Sequence, residues 1–117
     1  MQCLRLTRDA ASSVLRVTRV EWLMASLRFD RYYRYDELTS LLTDLVESYP
    51  ELASMESIGT SYEGRDIWVL TLTNTRTGPA TEKPAYWVDG NIHSSEVSGS
   101  SACLYIINKL VNAYGAD

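Results

Sequence analysis

His93 is the single histidine among 117 residues, and Glu96 follows it three places later. A neutral imidazole and a carboxylate at that spacing can converge on one metal ion if the chain turns into a helix between them. Both are ordinary zinc ligands, with bonds of about 2.0–2.2 Å. The spacing alone is weak evidence. Acids are 15 of the 117 residues, so one falls three places after a given histidine about once in eight times. Two plainer roles stand beside the metal. A carboxylate in the first turn of a helix is favoured by the helix dipole whatever else it does, and a loop histidine can simply hydrogen-bond. A catalytic zinc also needs three protein ligands plus an open position. With no second histidine, a third nitrogen ligand has to come from elsewhere.

Other reactive side chains make weaker cases. Ser94, Ser95, Ser98, Ser100 and Ser101 surround the histidine, but small hydroxyl residues at a helix start mainly cap it. A serine nucleophile would need His93 as base and an orienting acid, and no nucleophile-elbow pattern is present. Cys103 falls on an apolar helix face and reads as core.

The elements that must position His93 and Glu96 follow from periodicity. Leu38, Leu41, Leu42, Leu45 and Val46 step by three and four, one face of a helix that Asp36 can cap and Pro50 halts. Two strand-like runs, Met55–Ser61 and Ile67–Asn74, are joined by a short connection containing Gly64, which predicts a hairpin. The second run carries apolar side chains on both faces. Residues 75–84, with Gly78-Pro79 and Lys83-Pro84, read as a loop. Ala85-Tyr86-Trp87-Val88 is a short, largely apolar third strand of the kind expected inside a sheet. After Asp89-Gly90-Asn91 the pattern turns helical through Cys103, Ile106, Ile107, Leu110, Val111 and Tyr114, with Gly115 placed to end it. The order is helix–strand–strand–strand–helix, an α/β or α+β arrangement. His93 sits after the third strand, at the kind of strand C-terminus where open α/β sheets collect ligands.

Composition bounds the class. A chain of 117 residues, 45% hydrophobic and 22% charged, is one ordinary globular domain at most. No run of 18 apolar residues is present, which argues against a membrane-spanning helix, and two cysteines are too few for a disulfide scaffold. Charge divides the chain. Residues 1–28 hold five arginines against two acids, whereas residues 29–117 hold six bases against 13 acids. So acidic a body is a poor phosphate-binding surface, and Tyr32, Tyr33 and Tyr35 among Arg31 and Arg34 read as the start of a packed helix rather than an RNA platform. The basic head, residues 1–28, is expected to lie outside the domain formed by residues 29–117. It lacks the apolar core of a secretory signal; it fits an organellar transit segment, upstream sequence before an alternative start at Met24, or a real amphipathic helix. The expected location is cytoplasmic, or organellar if residues 1–23 are a transit segment.

Taken in order, Tyr35-Asp36-Glu37-Leu38, Tyr49-Pro50, Ser57-Ile58-Gly59-Thr60-Ser61-Tyr62-Glu63-Gly64-Arg65 and Val88-Asp89-Gly90-Asn91-Ile92-His93-Ser94-Ser95-Glu96 resemble the N-terminal part of zinc carboxypeptidases of the carboxypeptidase A type, over about residues 32–117. The Gly-Xaa-Ser-Xaa-Glu-Gly-Arg and His-Xaa-Xaa-Glu elements are specific together and not singly. The resemblance implies that His93 and Glu96 are the first two zinc ligands, and that Arg65 lies near a substrate subsite beyond the terminal one, where its guanidinium can bind peptide carbonyls. A solvated turn arginine is the plainer reading of Arg65. Digestive members tend to carry Arg before the metal-binding glutamate and Trp after it. Ser95 and Val97 stand there instead, which looks more like a bacterial-type branch.

The resemblance further implies an incomplete part of a mixed-sheet α/β domain, Zn2+ as cofactor and a peptide or protein C-terminus as substrate, with neither nucleic acid nor membrane as partner. The third ligand, the general base and the carboxylate-binding arginines belong to the family's C-terminal portion, so no catalytic residue is assigned in this chain. Residues 1–117 alone are expected to lack peptidase activity and to bind zinc weakly. Two rivals stand beside this reading: a zinc amide deacylase on the same fold, and a degenerate binding module that has lost catalysis.

Overall fold

The computed structural model describes the backbone of Gln2–Thr7 and residues 27–115 in full. Its elements are β1 (Gln2–Thr7), α1 (Tyr35–Ser48), β2 (Ala53–Thr60), β3 (Asp66–Leu72), β4 (Ala85–Gly90) and α2 (Val97–Ala113). The four strands form one mixed sheet in the order β2-β3-β1-β4. From residue 29 onward this is the predicted helix–strand–strand–strand–helix succession, an α/β arrangement.

α1 forms because Leu38, Leu42 and Leu45 return to one side at helical spacing, and all three are buried. It starts one residue before Asp36, the cap expected from sequence. Arg34 is the cap residue, and its backbone N–H donates to the Glu37 carboxylate at 2.8 Å. A carboxylate at the third helical position satisfies an orphan donor there and also lies favourably in the dipole. At the other end Tyr49 N–H still reaches Leu45 O at 3.0 Å, and Pro50 prevents another turn.

The Glu37 contacts carry a pH prediction. The Arg34 amide first, and then the Arg31 guanidinium at 2.9 Å, hold the Glu37 carboxyl below its ordinary pKa. A depressed carboxylate contributes stability above the ordinary carboxylate range and loses it as pH falls through the folded value. Thermal melts between about pH 6 and 2 should therefore show a shallower acid loss in Glu37→Gln than in the parent. Parallel profiles would show that the cap does not matter.

β2 and β3 form the predicted hairpin, antiparallel from Ala53↔Leu72 to Thr60↔Asp66 with a bulge between Ser57 and Thr60. Gly64, at φ 74°, makes the turn. Ser61 N–H donates to Arg65 O at 2.7 Å, and the Ser61 hydroxyl accepts from Arg65 N–H at 3.1 Å. Trp68, Leu70 and Leu72 share the face that meets both helices. There Leu70 and Leu72 join Leu38, Leu42 and Leu45 of α1 and Leu104, Ile107 and Val111 of α2 in one core, with Trp68 packed against it. The Trp68 indole also donates to Thr39 Oγ1 at 3.1 Å, fixing α1 across the strand. On the opposite face Val69 is buried too, as a strand apolar on both sides requires. Cys103 is core, as expected: burial pushes its thiol pKa up, and the Asp89 charge adds to the effect.

The loop at 75–84 contains two short 3-10 turns, Thr75–Thr77 and Ala80–Glu82. It is tied down by polar contacts. Lys83 Nζ donates to Thr73 Oγ1, Asn74 O and Thr77 Oγ1 at 3.1, 2.7 and 2.7 Å. Buried Asn74 donates to the Tyr114 hydroxyl at 2.6 Å, joining the loop to the end of α2. α2 closes as expected, with Gly115 at φ 76°.

Two features depart from the sequence reading. The basic head was set outside the domain, yet Gln2–Thr7 runs parallel to β3 and antiparallel to β4, pairing both strands along edges that would otherwise expose unpaired backbone groups. Residues 8–26, with the transit, alternative-start and amphipathic-helix readings that rest on them, lie outside the described residues. The third strand is expected inside the sheet, whereas among the described residues β4 is the outermost strand. Tyr86 and Trp87 accordingly remain 71% and 56% exposed. Among the described residues no helix is long and apolar enough to cross a membrane.

Candidate metal site

The site grows from the junction of β4 and α2. β4 ends at Gly90, and the next residue, Asn91, takes a left-handed backbone at φ 63°. The chain then turns twice, with Glu96 N–H donating to His93 O at 3.0 Å and Gly99 N–H to Glu96 O at 2.9 Å. Glu96 is the residue immediately before α2 and its carboxylate caps nothing. Instead it reaches back: Glu96 Oε1 stands 3.0 Å from His93 Nδ1, and Oε2 accepts from His93 N–H at 3.3 Å. The side chains are 76% and 54% exposed, so the pair adds little to stability. Its geometry is set by the loop.

That geometry suits a metal. Two ligands bonded to one tetrahedral zinc at about 2.0–2.1 Å lie roughly 3.3 Å apart, close to the 3.0 Å between His93 Nδ1 and Glu96 Oε1. A nitrogen and a carboxylate oxygen, converging and open to solvent, are a fitting donor pair. Among the described residues no group of three or more His, Cys, Asp or Glu side chains comes together to complete a site.

Arg65 lies on the β2–β3 turn. Its guanidinium pairs with Glu63 at 2.9 Å and sits 5.6 Å from the centre of the Tyr35 ring, whose hydroxyl donates to Asp66 O at 3.0 Å. The register places this turn relative to His93. Cys3 stands opposite both Val69 and Asp89, so the start of β3 and the end of β4 share one end of the sheet, two strand spacings or about 10 Å apart. The structure thus brings His93 and Glu96 into contact, and puts Arg65 at the same end of the sheet with its charge engaged by its own hairpin.

The residues that build the junction were under-read in the sequence. The serines around His93 suit helix caps by type and position, but α2 has no side-chain cap, and Ser100 Oγ donates to Asn91 Oδ1 at 3.2 Å. Gly90 and Gly99 abut so closely that a Cβ on Gly90 would stand 2.6 Å from the Gly99 carbonyl carbon. In the sequence Asp89-Gly90-Asn91 marks only where the pattern turns helical; the partners of each residue are not visible there.

Comparison with known proteins agrees with these elements. The zinc carboxypeptidase family matches residues 38–117. Carboxypeptidase B of Astacus astacus is 41% identical over 81 residues, covering 69% of this chain and 25% of that protein. Carboxypeptidase A1 of Sus scrofa is 33% identical over 80% of this chain and 21% of its own length. Carboxypeptidase A5 of Macaca fascicularis is 30% identical over 96% and 25%. The chain thus spans about a fifth to a quarter of the length of these relatives. No solved structure matches it. With the family match running through the hairpin, the His93–Glu96 junction and α2, the chain belongs to the zinc carboxypeptidase family.

Proposed function

We propose that this chain is the N-terminal part of a zinc-dependent metallocarboxypeptidase that removes residues from peptide or protein C-termini, with His93 and Glu96 as two of its metal ligands. The observation that supports this most is the 3.0 Å approach of His93 Nδ1 to Glu96 Oε1 on an exposed loop, where such a contact adds little to stability. Zinc, when bound, would polarise the scissile carbonyl and activate water for attack. The chain's own share is to present one nitrogen and one carboxylate at fixed separation, and to carry Arg65 on the same end of the sheet, where a guanidinium can hold peptide carbonyls.

Because His93 is the only histidine, its ring signals in a nuclear magnetic resonance spectrum report the site directly. Titrating the 117-residue chain with Zn2+ should shift the His93 ring cross-peaks, with saturation only at high metal concentration. Four-ligand structural sites bind with roughly 10–16 kcal/mol in total. Each ligand is therefore worth more than the 1.4 kcal/mol of a tenfold change, and Glu96→Gln should weaken binding by at least about tenfold. Unchanged affinity in Glu96→Gln would remove the basis of the proposal. The same chain should hydrolyse no C-terminal residue from a peptide, since among the described residues no third His, Cys, Asp or Glu joins the pair and a working site needs three ligands. Zinc-dependent hydrolysis by residues 1–117, lost in His93→Ala, would contradict this.

A further inference from the structure

We infer that Asn91 is a positioning residue which, locked in its left-handed conformation by Ser100, folds the loop so that His93 meets Glu96 before any metal arrives. The function of this device rests on the metal reading above, whereas its geometry does not. Asn91 is the only non-glycine residue with positive φ among those described, and asparagine is one of the few L residues that tolerate the region. Its side chain is engaged from outside the loop, with Asn91 Oδ1 accepting from Ser100 Oγ at 3.2 Å. Its backbone is confined as well: a Cβ on Gly99 would stand 2.9 Å from Asn91 N, so the first turn of α2 presses directly on this peptide.

Five residues separate Asn91 from α2. Within them the chain must reverse so that His93 O receives Glu96 N–H and Glu96 returns its carboxylate to His93. A right-handed or extended Asn91 would rotate the following peptide and carry His93 away from Glu96. The His93–Glu96 contact is too exposed to impose this conformation itself. Asn91 and Ser100, both half-buried, supply the constraint, much as partners behind a metal ligand orient it.

The test uses the 117-residue chain with Asn91→Ala, Asn91→Gly, Ser100→Ala and Ser100→Thr, read in two ways. One is Zn2+ affinity from the His93 ring cross-peaks, with His93→Ala as the blank. The other, free of metal, is hydrogen-exchange protection of the Glu96 amide. Losing the Ser100 hydrogen bond, or the side chain that accepts it, should weaken Zn2+ binding by about three- to tenfold and speed Glu96 amide exchange by a similar factor. Ser100→Thr, which keeps the hydroxyl, should restore both. Asn91→Gly, which keeps access to φ > 0 but lacks the acceptor, should fall between the parent and Asn91→Ala. Ser100→Ala places a good helix former in a helix and keeps the test open should an Asn91 variant fail to fold. Parental Zn2+ affinity and amide exchange in both Asn91→Ala and Ser100→Ala would overturn the inference. If the parent shows no His93 response to Zn2+, the metal reading falls, and the exchange measurement still decides the role of Asn91.

Discussion

Leu70→Ala is expected to cost about 2–5 kcal/mol, the range for deleting a buried leucine side chain. Leu70 is 2% exposed and the most completely buried large side chain described. It sits where the sheet meets both helices, among Leu38, Leu42 and Leu45 on one side and Leu104, Ile107 and Val111 on the other. The cavity would therefore open between three elements held by backbone pairing and by each other, with little room to collapse. Small domains have about 5–15 kcal/mol in total, so much of the fold's margin would go. Urea unfolding followed by circular dichroism should show a lower midpoint at unchanged slope. Val97→Ala, at a position 46% exposed, should move it by less than about 0.5 kcal/mol. A Leu70→Ala cost below about 1 kcal/mol would mean that the two helices do not share that leucine.

Gly90→Ala is the second large effect, and it links stability to the site. The new Cβ would lie 2.6 Å from the Gly99 carbonyl carbon and 2.7 Å from its oxygen. Both are backbone atoms, so no rotamer change relieves the overlap, and the start of α2 must move away from β4. Overpacking of this kind costs about 1–3 kcal/mol. At this chain length each kcal/mol should lower the melting temperature by about 4 °C or more. Glu96 directly precedes α2, so the displacement carries it away from His93, and Zn2+ affinity should fall together with Tm. Leu70→Ala, by contrast, should leave affinity unchanged in molecules that remain folded. Gly90→Ala with parental Tm would show that the two backbones are not in contact.

These expectations draw on information legible to different degrees in the sequence. The leucine stripe of α1, the β2–β3 hairpin around Gly64 and the apolar side of α2 were readable because each is a periodicity or a turn preference within a few neighbouring residues. The closeness of His93 and Glu96, the proposed metal ligands, was readable for the same reason: one turn separates them, and the family elements around them keep their order. Even there local reasoning misjudged roles. Asp36 looked like the cap of α1, but Glu37 reaches the Arg34 amide. Ser100 looked like a cap of α2, but its hydroxyl serves Asn91.

What the sequence determined by itself was the succession of elements from residue 29 onward, the family resemblance and the identity of two candidate ligands. The tertiary structure decided that Gln2–Thr7 pairs between β3 and β4, that β4 is the outermost of the described strands with Tyr86 and Trp87 exposed, and that Gly90 and Gly99 touch. Strand pairing joins backbone groups common to all residues, so composition in a basic head does not reveal which strands it pairs with. Contact between two glycines leaves no apolar pattern either, because its cause is the absence of a side chain. That contact, with the left-handed Asn91 beside it, turns a histidine and a glutamate three residues apart into a pair 3.0 Å apart.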